Sequence, residues 1–163
     1  YDFSVSISSL PNFDALVAVD TGTAAQPTVN ASPDKVNDRY GYRFTGEIQI
    51  NTAGNYTFYT NSDDGSKLFI NGVEVVNNDG NHGMREESGV INLGAGRHDI
   101  VITYYENARG DNLIVSYQGN DAGMGIPKQV IPSSAYFQSD VASESPDVEN
   151  TDSNNDGVLD GDD

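Results

Sequence analysis

The chain has 163 residues, the length of a single domain with one core, although only 36% of the residues are hydrophobic. The formal net charge of −17 leaves no basic patch, which excludes binding along a nucleic acid backbone or to an acidic membrane surface. The absence of cysteine excludes disulfide scaffolds, thiolate metal sites and cysteine nucleophiles. No apolar run approaches the roughly 18 residues that cross a bilayer, so we expect no direct membrane insertion.

The acidic residues are unevenly distributed along the chain. Nine of the 25 acidic residues and none of the eight basic ones lie in residues 140–163, which leaves −8 for residues 1–139. This contrast predicts a folded domain over residues 1–139, an acidic linker over residues 140–151 and a separate motif over residues 152–163. Because Tyr1 is not a natural start, we expect the chain to be linked to further domains of a larger protein.

The first forty residues carry weak patterns, in which residues 7–10 and 16–19 are predicted as edge strands. Further along, apolar and polar residues alternate, the pattern of strands with one buried face. The alternation marks residues 42–50, 56–60, 67–70, 73–76, 90–93, 98–105 and 112–117.

Glycine and asparagine punctuate these predicted strands. Asn71-Gly72 predicts a tight hairpin, because both residue types tolerate a positive φ. Gly46 interrupts an alternating run and predicts a bulge or a close approach of another backbone. Residues 126–137, with two prolines, are expected to close the fold with a short turn near Ser133. Short strands joined by tight turns predict an all-β fold, an antiparallel β-sandwich or barrel.

Polar residues concentrate in three connections between the predicted strands, at residues 61–65, 77–87 and 106–111. Their carboxylates, amides and carbonyls are the hard oxygen ligands that calcium prefers. The alternative is that Asp, Asn and Gly merely form turns. Spacing alone does not separate the two interpretations.

The sequence contains no pattern typical of catalysis. Adjacent carboxylates such as Asp63 and Asp64 are poorly placed for glycosidase chemistry, which needs two carboxyl groups that face each other. The two histidines, His82 and His98, are not accompanied by a serine in a nucleophile-elbow pattern. We therefore expect no enzyme activity.

The run from Tyr56 to Gly72, with Ser62-Asp63-Asp64-Gly65 and Asn71-Gly72, resembles the central signature of the protective-antigen (PA-14) domain family. The resemblance continues through residues 78–83, 93–98 and 104–107 and ends near residues 131–134. It implies a β-sandwich with long functional loops, found in bacterial toxins, glycosidases and adhesins.

In the sugar-binding members of that family, an aspartate pair holds a calcium ion that coordinates vicinal sugar hydroxyls. The resemblance implies that Asp63 and Asp64 are this pair, joined by a cis peptide bond, and that Gly110 and Asp111 complete the calcium shell. It also implies that neighbouring loops line the sugar, with Asn81, His82, Arg85 and Asn107 as the candidate contacts.

The end of the chain carries a second calcium motif. Oxygen-bearing positions with the spacing of a calcium loop, and Gly157 at its sixth position, predict as ligands Asp152, Asn154, Asp156, Val158, Asp160 and Asp163. Without flanking helices, the motif resembles the start of a thrombospondin type 3 repeat. A disordered acidic tail is the alternative.

These observations predict a calcium-dependent carbohydrate-binding module of an extracellular or cell-surface bacterial protein, either an adhesin or a polysaccharide-active protein. Calcium is the expected cofactor, and a monosaccharide or larger glycan is the expected partner. The alternatives are a structural spacer and an ancillary domain of a glycoside hydrolase without its own sugar site.

Overall fold

The structure, a computed structural model, describes residues 1–3, 5–32 and 38–139. The predicted linker at residues 140–151 lies outside these residues and stays a prediction. The same holds for the calcium-loop residues of the tail, Asp152, Asn154, Asp156, Val158, Asp160 and Asp163.

The described residues form nine strands and two short 3₁₀ helices, Phe13–Ala15 and Ser133–Ala135. The alternating pattern of the sequence marks the seven long strands, and two short strands follow near the end. Their bounds are Tyr40–Ile50 (β1), Gly54–Asp63 (β2), Ser66–Ile70 (β3), Val73–Asn78 (β4), Arg85–Leu93 (β5), Gly96–Glu106 (β6), Asn112–Gly119 (β7), Gln129–Val130 (β8) and Tyr136–Phe137 (β9).

The strands build two antiparallel sheets that pack face to face, so the predicted β-sandwich is confirmed. The first sheet has the order β4-β3-β6-β1-β9 and the second has the order β5-β2-β7-β8. All paired strands are antiparallel. The connections β2–β3, β4–β5 and β6–β7 each cross from one sheet to the other, and they close the same end of the sandwich.

One hydrophobic core fills the space between the sheets. Ile48, Phe58 and Leu68 come from different strands and are fully buried. Burying each such side chain contributes roughly 1.5–3 kcal/mol relative to leaving it exposed. The core therefore makes the sheets a firm support for the loops at the ends of the strands.

The Asn71-Gly72 hairpin joins β3 to β4, as the sequence predicts. Asn71 has φ 50° and Gly72 has φ 79°. Two positive φ angles in a two-residue connection match the twist of the flanking strands.

The predicted edge strands at residues 7–10 and 16–19 are wrong. The backbone N–H groups of Ile7 and Leu10 donate to side-chain oxygens instead of a neighbouring strand. The N-terminal residues nevertheless cover the first sheet: Phe3 donates its backbone N–H to the Arg39 carbonyl, and the Phe13 side chain is buried. Tertiary contacts thus replace the predicted local pairing.

Two glycines allow close approaches between backbones. A Cβ atom at Gly46 would lie 2.7 Å from the carbonyl oxygen of Phe137, which explains why this position of β1 lacks a side chain. A Cβ atom at Gly89 in β5 would overlap the carbonyl oxygen of Val75 in β4. Gly89 therefore lets strands from different sheets meet at the edge of the sandwich.

The contact at Gly89 gives a prediction about stability. The substitution Gly89→Ala should lower the free energy of unfolding by about 1–3 kcal/mol, because the new methyl group forces β4 and β5 apart. Urea unfolding measures the change. Gly94→Ala is the matched control, since a Cβ atom there meets nothing within 4 Å. Equal stability of the two variants would contradict the close approach.

Candidate metal-binding site

Three polar loops meet at one end of the sandwich because of the strand register. Ser66, at the start of β3, lies opposite Tyr104 in β6 and Asn78 in β4. Ser62, near the end of β2, lies opposite Arg85 in β5 and Leu113 in β7. The loops β2–β3, β4–β5 and β6–β7 are therefore neighbours in space, although they are far apart in sequence.

Three carboxylates converge where these loops meet. Asp63, Asp64 and Glu106 each place one oxygen within 4.8 Å of the others. The peptide bond between Asp63 and Asp64 is cis, as the family resemblance predicts. Three negative charges at this distance repel one another unless a cation lies between them.

Glu106 has the environment of a metal ligand. It is fully buried, and neither carboxylate oxygen has a hydrogen-bond partner among the described residues. Burial, together with the charges of Asp64 and Asp63, raises the pKa of Glu106 to about 8. A buried carboxylate without a partner is costly, and a divalent cation bound beside it removes that cost. The donor set fits a cation that prefers oxygen ligands.

The Asp64 carboxylate, in the β2–β3 loop, connects the β4–β5 loop to the β6–β7 loop. Its Oδ1 accepts a hydrogen bond from the backbone N–H of His82 at 3.0 Å, and its Oδ2 accepts one from the backbone N–H of Asn107 at 2.8 Å. Each oxygen keeps a second lone pair for another partner. The Asp64 carboxylate thus fixes the loops β4–β5 and β6–β7 at the positions where they border the candidate metal site.

Asp63 is held from its backbone rather than from its carboxylate. The Tyr104 hydroxyl donates to the Asp63 carbonyl oxygen at 2.5 Å. Partial burial and the adjacent Asp64 charge raise the pKa of the Asp63 carboxyl. Its carboxylate is therefore available to a cation at the mouth of the site.

The remaining predicted calcium ligands lie on the β6–β7 loop. A Cβ atom at Gly110 would lie 3.3 Å from Asp63 Oδ2, so the Gly110 backbone borders that carboxylate. Asp111 Oδ2 accepts a hydrogen bond from the Tyr40 hydroxyl at 2.6 Å. The structure thus brings Gly110 against the Asp63 carboxylate and engages Asp111 with β1.

The predicted sugar contacts also lie on the site loops, but several are occupied within the protein. The His82 ring nitrogens contact the carbonyl oxygens of Gly83 and Asn78 at 2.8 and 2.9 Å. Arg85 donates to Asn78 Oδ1 at 3.0 Å. Asn81 Oδ1 accepts a hydrogen bond from the Tyr105 hydroxyl at 2.8 Å. These hydrogen bonds stiffen the β4–β5 loop, independently of any contact that the side chains make with a ligand.

A buried polar cluster supports the site from below. The Asn78 amide donates to Ser62 Oγ at 3.2 Å and to the Arg85 carbonyl at 2.8 Å, which joins β2, β4 and β5. Ser62 Oγ and Ser66 Oγ are 2.7 Å apart. Buried groups that are hydrogen-bonded in this way hold a single arrangement of the strand ends.

Glu106 is the site residue that the sequence analysis missed as a ligand. It ends the buried run Ile102-Thr103-Tyr104-Tyr105 and shares its parity with Ile102 and Tyr104, which face the core. A glutamate in phase with core residues at the end of a strand is an available signal for a buried charge.

Comparison with known proteins identifies the family. Residues 18–130 match the PA14 domain. This match covers more than half of the chain, so the protein belongs to the PA14 domain family. The anti-sigma-I factor RsgI3 of Acetivibrio thermocellus is 33% identical over 104 residues, which are 63% of this chain. The chain spans only 16% of the length of that relative.

Solved structures show the same relationship. An anti-sigma factor domain-containing protein is similar with a TM-score of 0.61 and 32% identity, over 68% of this chain and 38% of that one. A PA14 sugar-binding domain from an RTX adhesin is similar with a TM-score of 0.51 and 26% identity, over 59% of this chain and 52% of that one. Among the described residues, no helix has the length and apolar character needed to cross a membrane.

The buried Glu106 carboxyl predicts that the thermal stability of the protein, measured in the presence of a chelator, depends on pH. Its folded pKa of about 8 exceeds the ordinary value of 4.5, so the folded protein binds this proton more tightly than the unfolded chain. The stability from this group is full below pH ~4.5 and is lost as the pH rises toward ~8. Glu106→Gln should therefore lose less thermal stability than the wild type over this pH range. Parallel losses in the two proteins would contradict the buried carboxyl.

Proposed function

We propose that the protein is a calcium-dependent carbohydrate-binding module of an extracellular or cell-surface protein. The observation that carries the proposal is the fully buried Glu106, whose carboxylate oxygens have no partner among the described residues, beside Asp63 and Asp64. A protein gains nothing in stability from this arrangement alone, because like charges repel. A bound cation would offset this repulsion.

Calcium suits this donor set for two reasons. The converging ligands are all oxygens, which calcium and magnesium prefer over nitrogen and sulfur. Calcium accepts about 6–8 oxygens at about 2.3–2.6 Å and tolerates irregular geometry, whereas magnesium demands a near-ideal octahedron. Asp63, Asp64 and Glu106 would hold the ion, and a backbone carbonyl near Gly110 is the nearest further donor. An ion of this kind supplies open positions that two adjacent hydroxyls can fill.

The case for a sugar ligand rests on the surroundings of the site and on a relative. Amide, imidazole and guanidinium groups lie beside the carboxylates at Asn81, His82 and Arg85, and hydrogen bonds within the protein hold them in place. The structurally similar domain of an RTX adhesin is described as sugar-binding. The chain has no tryptophan, so hydrogen bonds and metal coordination would carry recognition here rather than indole stacking.

The metal part of the proposal has a direct test. Asp63→Asn should weaken calcium binding by at least about tenfold, because the ligand charge sets the affinity of such sites. Calorimetry measures the affinity, and thermal unfolding checks that the variant is folded. Asp99→Asn is the matched control, since Asp99 is exposed near the start of β6, at the opposite end of the sandwich. Unchanged affinity in Asp63→Asn would place the metal elsewhere.

The sugar part has its own test. A glycan array probed with calcium should show binding that chelator abolishes. Affinity for a monosaccharide should be near the millimolar level, about −4 kcal/mol, because two hydroxyls replace waters on the ion. Methylation of the vicinal hydroxyls of the best ligand should abolish binding. Equal binding of the methylated sugar would refute capture by the metal, and an array without signal would favour a structural spacer.

The class of the parent protein is a separate question. The adhesin domain supports an adhesive role, in which several copies provide avidity. The 33% identity to an anti-sigma factor favours a second candidate, a glycan-binding domain of a regulatory protein. Both candidates use the same site. A binding glycan that changes transcription in the source cell only while this domain is intact would select the second.

A further inference from the structure

Residues 7–10 lie against the candidate site and are held there by two side chains. The backbone N–H of Ile7 donates to Asn107 Oδ1 at 3.1 Å, and the backbone N–H of Leu10 donates to Asp79 Oδ1 at 2.7 Å. We call residues 7–10 the N-terminal strap. Its two ends are therefore fixed to two different loops of the site.

Both anchoring residues are themselves close to the metal-binding carboxylates. Asn107 donates its backbone N–H to Asp64 Oδ2 at 2.8 Å, so its main chain contacts a carboxylate while its side chain holds the strap. Asp79 Oδ1 lies 3.1 Å from the position of a Cβ atom on Gly65, the residue after Asp64. The Ile7 end of the strap is thus separated from Asp64 by one residue, Asn107, and the Leu10 end by two, Asp79 and Gly65.

The middle of the strap is exposed. Ile7 and Leu10 are half-buried, whereas Ser8 and Ser9 between them are exposed to solvent. A serine hydroxyl donates one hydrogen bond and accepts two, which is the same capacity that sugar hydroxyls have. The two anchors therefore fix the backbone on either side of two exposed serines on the loops that border the carboxylates, and a ligand bound to Ser8 or Ser9 loses little strap entropy.

We propose that the N-terminal strap is a specificity-determining wall of the carbohydrate site. Ser8 and Ser9 contact the sugar unit next to the one that the metal holds, and Asp79 and Asn107 are positioning residues that act through the strap. This inference rests on the proposed function. Its ligand class is an oligosaccharide of two or more units, since one unit occupies the metal and the strap lies beside it.

The first test removes the hydroxyls. In the calcium-loaded domain, Ser8→Ala combined with Ser9→Ala should weaken binding of the best oligosaccharide by roughly fivefold or more. Affinity for calcium and for the monosaccharide that the metal holds should stay the same. Ser88→Ala, at an exposed position in β5, is the control and should leave all three affinities unchanged.

The second test removes and restores the anchors. Asp79→Ala and Asn107→Ala should each lower discrimination between oligosaccharides, while the backbone contact of Asn107 with Asp64 keeps calcium bound. Asp79→Asn and Asn107→Asp retain the accepting oxygen and should restore the wild-type order of oligosaccharide preference. If Asp79 and Asn107 had a merely structural role, their variants would shift calcium and sugar affinities together. The alanine variants would then not differ from the variants that retain the accepting oxygen.

The outcomes distinguish this inference from the proposed function. If the wild type binds calcium but no glycan, the proposed function and the strap proposal both fail. If the wild type binds glycans and the serine and alanine variants keep the same oligosaccharide order and affinity, only the strap proposal fails.

Discussion

The site depends on one unfavourable interaction, the convergence of three carboxyl groups, of which Glu106 and Asp64 are buried and Asp63 is partly buried. Glu106 is fully buried next to Asp63 and Asp64, and its oxygens have no partner among the described residues. Burial and the neighbouring aspartate charges oppose the ionisation of Glu106 and raise its pKa to about 8. Hydrogen bonds to the Asp64 carboxylate and to the Asp63 carbonyl hold these groups in place, and this is the arrangement that we propose a cation occupies.

The β-sandwich supplies the rigidity that this convergence requires. Three connections cross between the sheets at one end, so the strand register alone sets the distance between loops that are distant in sequence. The Asn78 amide joins the strand ends beneath the loops, and Asp64 joins the loops to each other. The surface at this end of the sandwich is therefore preorganised, which would reduce the entropy lost by the proposed binding of a ligand.

Much of the fold could be predicted from the sequence, because alternation and turn chemistry are local signals. Asn71-Gly72 identified its hairpin, and the alternating runs identified the long strands. Asp63 and Asp64 stood out as an adjacent pair in a loop. Glu106 did not, because its phase with the core residues of β6 indicates burial but not its convergence with the aspartates, which lie at the end of a strand of the other sheet. The prediction of edge strands near the N-terminus was wrong for the same reason, because the hydrogen-bond partners of Ile7 and Leu10 lie about seventy to one hundred positions away.

The central claim is that the three carboxylates hold a calcium ion, and an anomalous difference map from crystals grown with calcium tests it most directly. The account predicts a single peak about 2.3–2.6 Å from carboxylate oxygens of Asp63, Asp64 and Glu106. A map at saturating calcium without a peak among these oxygens would contradict it.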